Sequence, residues 1–439
     1  MLKRIPFLLW FIGLAWVMQA QNPFPSARLD SVMQLLEQHN KLWASVSVFH
    51  EGKPVFSGAT GYVDVDMKTR SNTSTVYRIG SITKMYTAVL VLQLEEENKL
   101  SLNDPLSKYY PLVQNAERIT LEQMLRHRSG IFSITEDSLY MAFNTQKHTK
   151  TEILDKIYSY PSIFEPGSQT TYSNSNYVLL AYIIEDITGK DFNTNLQQRI
   201  AEPLGFKQTA VGGKVNPWHN EAMSVKFDNK SWVADAETDM SVPGGAGAMV
   251  STPEELNRFI VALFQGKLIQ NETLDRMIKL EENFGYGIFA MPFYESKGYG
   301  HTGGIDGYRS ALVYFPDSQW SVAVCVNAPN FNPNELLKVA LSLAYGRSFT
   351  LPVLTVSAVD EATLVSYEGT YSSPDFPLKL TVFVREGQLF GQATGQPAFL
   401  LEAENEQLFR HDAYNIKITF GDQQLELKQG GLKLNMIKE

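Results

Sequence analysis

Three patterns in this sequence predict an α+β fold with a small all-β domain appended. Amphipathic helices open and close the first 350 residues. Between them lie two early strands, an apolar helical block and a late run of consecutive strands. Strands that follow one another without intervening helices predict an antiparallel sheet flanked by helices, not alternating βαβ units. From Tyr367 onward only strand and turn patterns occur, which predicts a separate barrel-like unit.

Leu29, Val32, Met33 and Leu36 recur at helical spacing and mark the first helix. Ala44 to Phe49 and Pro54 to Ser57 flank Glu51-Gly52-Lys53 and read as a hairpin. A second helix starts near Ser81, with Ile82, Met85, Val89, Leu92 and Leu94 on its apolar side. Further helices are expected at Leu121 to Leu125, Tyr177 to Ile187, Asn193 to Ile200 and Pro253 to Phe264, giving an all-helical subdomain. Gly285 to Met291, Tyr299 to His301, Tyr308 to Phe315 and Trp320 to Val326 read as strands, and Asn334 to Tyr345 as the closing helix. In the tail, Leu378, Leu380, Val382 and Val384 alternate with other residues, as do Tyr414, Ile416, Ile418 and Phe420. The expected boundaries are 21–350 for the main domain, 351–366 for a linker and 367–439 for the all-β domain.

The N-terminus places Lys3 and Arg4 before an apolar run from Ile5 to Val17, with Ala20 before Gln21. That order predicts an export signal over residues 1–20, a periplasmic or secreted mature chain, and no stable membrane insertion after cleavage. The apolar run is shorter than the ~20 residues of a membrane span. A net charge of −9 repels polyanions, so nucleic acid is not an expected partner. Cys325, the one cysteine, lies in a strand pattern and reads as a small core residue.

Three short motifs carry the chemistry. Ser81-Ile82-Thr83-Lys84 is the single S-x-x-K quartet in the chain. Residues three apart share a helix face, so the Lys84 amine can reach the Ser81 hydroxyl near the positive helix end. The lysine serves as a base only if burial or a cationic neighbour lowers its pKa. Alone, the quartet is better described as a capping serine followed by a solvated lysine. Tyr172-Ser173-Asn174 precedes an apolar helix. Its tyrosine is a candidate general base with a pKa lowered by Lys84, and its asparagine a candidate substrate ligand. His301-Thr302-Gly303-Gly304 offers a strand edge of small residues whose Gly304 N–H can join that of Ser81 in an oxyanion hole.

Together with Tyr77-Arg78-Ile79-Gly80, Leu125-Arg126-His127-Arg128-Ser129-Gly130, Gly247-Ala248-Met249-Val250-Ser251-Thr252 and Gly307-Tyr308, these motifs resemble the serine β-lactamase and penicillin-binding-protein superfamily, in its class C and DD-carboxypeptidase branch. The likeness spans about residues 27–346, and the tail resembles lipocalin-like barrels that follow such domains. The resemblance implies a β-lactamase/transpeptidase-like fold and an acyl-enzyme at Ser81, with Lys84 and Tyr172 relaying protons. It implies that Asn174, His301, Thr302, Gly303 and Gly304 bind substrate or the oxyanion.

Dedicated class C β-lactamases carry lysine where this chain has His301, and an imidazole is less reliably positive. Steering of a β-lactam carboxylate is therefore expected to be weaker. The expected substrates are small molecules or peptides: D-amino-acid peptides, including cell-wall peptide, or small esters, ahead of β-lactams. The competing reading is a non-catalytic binding or scaffold protein that keeps the fold. No cofactor is expected. G-x-S-x-G and H-E-x-x-H are both absent, so neither an α/β-hydrolase elbow nor a catalytic zinc is indicated, and His127 reads as structural.

Overall fold

A computed structural model describes residues 24–439 except 67, 229 and 352; the expected export signal lies outside the described residues. A six-stranded antiparallel sheet orders the strands Lys53–Ala59, Leu42–His50, Trp320–Pro329, Tyr308–Phe315, Tyr299–Ile305 and Phe289–Ala290. Its first hairpin turns on Glu51 and Gly52 with φ of 51° and 73°, the left-handed pair that a two-residue hairpin turn requires. The strand Trp320–Pro329 pairs with Leu42–His50 on one side and Tyr308–Phe315 on the other. The two ends of the main domain are thereby joined in one sheet.

Strand alternation sorts this central strand between two cores. Val322, Val324 and Val326 face one core with the helices Ser26–Gln38 and Pro333–Ala344. Ala323 and Cys325 face the other, with the helices Thr83–Glu96, Asn174–Thr188 and Pro253–Phe264. Cys325 is fully buried, as its strand pattern predicts. The helix Thr83–Glu96 buries almost its whole circumference, more than the single apolar side read from its sequence. Helices of the central block and the sheet enclose it from different sides, the condition under which a helix need not be amphipathic.

Several elements depart from expectation. The strand expected over Gly285 to Met291 shortens to Phe289–Ala290, because Gly285 and Ile288 close a turn around Gly287 at φ 64°. That turn abuts the Lys84 carbonyl, which would lie 2.6 Å from a Cβ on Gly287. The helix expected at Asn193 to Ile200 is α-helical over Phe192–Leu196 and widens to a π turn over Gln197–Ala201. The expected linker contains the helix Glu361–Ser366, capped by the Asp360 carboxylate on the Thr363 N–H. Its Leu364 and the following Tyr367 pack into the barrel core.

That barrel is closed and eight-stranded, running from Gly369 to Lys438. It meets the main domain through a buried charge cluster. Lys41 Nζ contacts Glu402 at 2.5 Å and Asp412 at 2.9 Å, while Arg410, 1% exposed, contacts Asp412 at 3.1 Å and Glu402 at 3.3 Å. Removing one partner from a buried ion pair leaves an uncompensated charge and costs about 3 kcal/mol. Lys41→Met is therefore expected to loosen the barrel from the main domain. Calorimetry should show a separate, earlier barrel transition, and a trace superimposable on wild type would contradict the latch.

Candidate active site

Ser81 lies in a 3-10 turn, Gly80–Ile82, that leads directly into the helix Thr83–Glu96. Gly80 holds φ 51°, and a Cβ there would sit 2.8 Å from Gly304 N, so a side chain would push the two segments apart. One turn on, the Lys84 amine is fully buried, 3.0 Å from Ser81 Oγ. Its other partners are Asn174 Oδ1 at 2.8 Å and the Ala246 carbonyl at 2.7 Å. Among the described residues no carboxylate lies within ion-pair distance of it. Burial pushes its pKa well below the usual lysine range. The sequence requirement of a desolvated or cation-flanked lysine is met by desolvation.

Asn174 opens the helix Asn174–Thr188. Its backbone N–H donates to Ser133 Oγ at 3.0 Å and its Nδ2 to Thr135 Oγ1 at 2.8 Å. With the amide nitrogen so engaged, Oδ1 is turned to Lys84. The Ala246 carbonyl is carried by the segment Gly244–Gly247, tied to the helix Thr83–Glu96 by Thr87 Oγ1 donating to Gly245 O at 2.7 Å. A Cβ on Gly245 would fall 2.5 Å from Ala181 Cβ and 2.7 Å from Tyr177 O, so only glycine lets three segments cross there.

Tyr172 packs beside this group. Lys84 Nζ lies 4.9 Å from its ring centroid, and the His127 ring stacks on it at 4.4 Å. The expectation of a phenol made acidic by Lys84 is corrected. Burial raises the Tyr172 pKa, and a hydrogen bond with Ser81 only partly opposes it. His127 Nδ1 accepts from the Ser173 N–H at 3.1 Å, and burial pushes its pKa well down, so it is a neutral ring bracing the tyrosine.

The strand Tyr299–Ile305 brings its glycines against the Ser81 turn: a Cβ on Gly303 would meet Ile79 O at 2.0 Å. Gly304 lines the cavity in front of Ser81, Thr302 is exposed and Gly303 is buried. His301 is expected at the substrate, and here the structure differs. Alternation turns its side chain inward, where it is 1% exposed, stacks on Phe289 at 4.1 Å and faces Tyr172 at 6.4 Å. Its Nδ1–H donates to Thr302 O, and burial, then the Lys84 charge, push its pKa down to about 3. His301 is thus an uncharged packing group behind Tyr172 rather than a cation facing a substrate carboxylate.

The cavity has a volume of about 420 Å³. Ser81, Tyr172, Asn174 and Gly304 reach it from the expected set. Thr135, Tyr140, Asn144, Thr238 and Asp306 also line it and were not expected. Of these, Asp306 alone had a nearby sequence signal, the turn just beyond the His301 motif. The Ala246 carbonyl has no side-chain signature at all.

With this arrangement in place, relatives can be compared. A family model described as Beta-lactamase matches residues 30–345. A teichoic acid D-alanine hydrolase of Staphylococcus aureus strain NCTC 8325 / PS 47 is 28% identical over 262 residues, 56% of this chain and 62% of that protein. The match therefore spans less than two thirds of that curated relative. A D-stereospecific amidohydrolase from Streptomyces sp. superposes with a TM-score of 0.64 at 25% identity, covering 73% of this chain and 99% of the other. The octameric penicillin-binding protein homologue from Pyrococcus abyssi gives 0.64 at 23% identity over 93% of this chain and 99% of its own. The fold and the extent of the family match agree: the chain belongs to the β-lactamase family, within the serine hydrolase superfamily.

Proposed function

We propose that this protein is an exported serine hydrolase that forms an acyl-enzyme at Ser81 and acts on D-amino-acid esters, amides or short peptides. The observation that carries this reading is the set of contacts around Lys84. Two of its three neighbours, Asn174 Oδ1 and Ala246 O, are acceptors only, so a neutral amine gives them its two N–H groups. Its lone pair is then left for the Ser81 hydroxyl proton, and the lowered pKa supports that neutral form.

In this reading Lys84 takes the proton of Ser81 as the alkoxide oxygen bonds to the substrate carbonyl carbon. The Ser81 and Gly304 N–H groups hold the oxyanion. As the leaving group departs, Tyr172 gives it the phenolic proton and is reprotonated by the Lys84 ammonium. Water then releases the acyl group by the same relay run in reverse. Tyr172 acts as a protonated relay rather than as a standing phenolate, in keeping with its raised pKa. The curated relative's D-alanine hydrolase name and the D-stereospecific neighbour support D-configured acyl groups. Among the described residues no lysine or arginine lines the cavity, which supports neither β-lactams nor peptides held by a terminal carboxylate. The proposal takes 1–20 as the export signal, 21–350 as the hydrolase domain, 351–366 as linker and 367–439 as an appended barrel.

A fluorophosphonate is expected to label the wild-type protein, and Ser81→Ala to abolish both label and turnover. If neither label nor turnover is found with esters, D-alanyl peptides and β-lactams, the scaffold reading takes its place.

Burial on folding favours loss of the Lys84 proton. Between its lowered folded pKa and the usual 10.5, the unfolded chain binds one more proton, so stability rises with pH by about 1.4 kcal/mol per unit. The stability of Lys84→Met relative to wild type is thus expected to be greatest near neutral pH and to decline as pH approaches 10.5, while turnover falls by roughly 10²- to 10⁴-fold. A gap independent of pH would show that the folded lysine stays charged.

Tyr172→Phe is expected to slow amides far more than aryl esters, whose leaving groups depart without a proton. Equal losses on both substrates would remove Tyr172 from the relay.

A further inference from the structure

The C-terminal barrel is packed at one rim and open at the other. Its strands run antiparallel in sequence order, so the end of each lies at the same rim as the start of the next. Tyr367 stacks on Phe420 at 4.2 Å and meets Phe409 at 6.0 Å. Phe420 is near the end of the strand Ile416–Gly421 and Phe409 near the start of Leu408–His411, so these rings mark one rim. With Leu364 they fill it.

At the opposite rim lies a cavity of about 240 Å³. Phe376, Phe399, Ile416 and Leu432 line it from the first positions of their strands, and Ala393 from the last position of its own. Alternation carries the wall inward from Phe376 to Leu380 and from Leu432 to Met436. Leu380 and Met436 are buried, whereas Leu432 is 39% exposed, so an apolar wall reaches solvent at this rim. Lys379 is the one charged residue lining the cavity among the described residues, and its amine is paired with the Glu439 carboxylate at 2.8 Å. Gln429 turns its Nε2 to Tyr414 O at 3.3 Å, which leaves its Oε1 to accept from a hydroxyl at the rim.

We propose that this cavity binds one uncharged, mostly hydrocarbon molecule with a hydroxyl end, of the class of a medium-chain alcohol. Size limits the occupant first. An apolar protein cavity of about 150 Å³ takes one benzene, so the space here suits roughly eight carbons, while drug-sized ligands need about 300 Å³ or more. Charge limits it next. A carboxylate or ammonium drawn against this wall would lose its hydration without gaining a partner, and Glu439 already answers the Lys379 charge. The hydrocarbon part covers apolar side chains that otherwise face water, and the hydroxyl stays beside Gln429.

This site is independent of the chemistry at Ser81, and its test leaves that reading untouched. Titration calorimetry of the full chain with 1-octanol is expected to show saturable binding of one molecule per chain. Octanoate is expected to bind at least ~10-fold more weakly, because its charge has no partner in the cavity. Ala393→Phe places a ring in the cavity and is expected to weaken octanol by about 10-fold or more. Leu432→Gln, at an exposed position where the fold tolerates the change, is expected to weaken it by roughly 3-fold. Absence of saturable octanol binding, equal affinity for octanoate, or an octanol affinity unchanged in both variants would overturn the site.

Discussion

The structure turns on an amine buried without a counter-charge. A lysine surrounded by carboxylates is held as an ammonium and cannot accept a proton. Lys84 is instead enclosed by the Ser81 hydroxyl, the Asn174 amide and the Ala246 carbonyl, groups that accept hydrogen bonds but carry no net charge. Desolvation therefore acts unopposed. The surrounding structure serves that condition. Glycine at 245 lets the Ala246 segment come close, glycine at 287 lets a turn press on the Lys84 carbonyl, and neutral histidines at 127 and 301 flank the adjacent phenol.

The two histidines illustrate how burial decides chemistry. Each could carry charge in water, and each lies close enough to Lys84 for the charges to repel. Had either stayed positive, it would lower the Lys84 pKa further but would also raise the cost of forming a second cation during proton transfer. Enclosed among Tyr172, Tyr177, Phe284 and Phe289, both rings remain uncharged and act by shape.

Much of this was legible in the sequence. The order of helices and strands and the antiparallel character of the sheet follow from apolar periodicity, and the all-β, barrel-like character of the tail from its alternation, though not its eight strands. The meeting of Ser81, Lys84, Tyr172 and Asn174 was readable from local spacing plus the resemblance, because side chains of distinctive chemistry announce themselves. What was not legible depends on distance and direction. The facing of His301 is set by one step of strand alternation, which a three-residue motif cannot reveal. The Ala246 carbonyl belongs to the backbone, and any residue would carry it. The raised pKa of Tyr172 comes from the depth of its enclosure rather than from its neighbour in charge. Asn144 and Asp306 are separated by 162 positions and joined only through Thr238.

The central sheet joins a strand near the start of the described chain to strands more than 250 residues later. The helical block that supplies Asn174 lies between them in sequence. Until the final strands are laid down, Ser81 is an ordinary alcohol and Lys84 an ordinary solvated ammonium, since the walls that dehydrate the amine do not yet exist. Under the proposed mechanism, the connectivity therefore ties any acylation of Ser81 to closure of these long-range pairings.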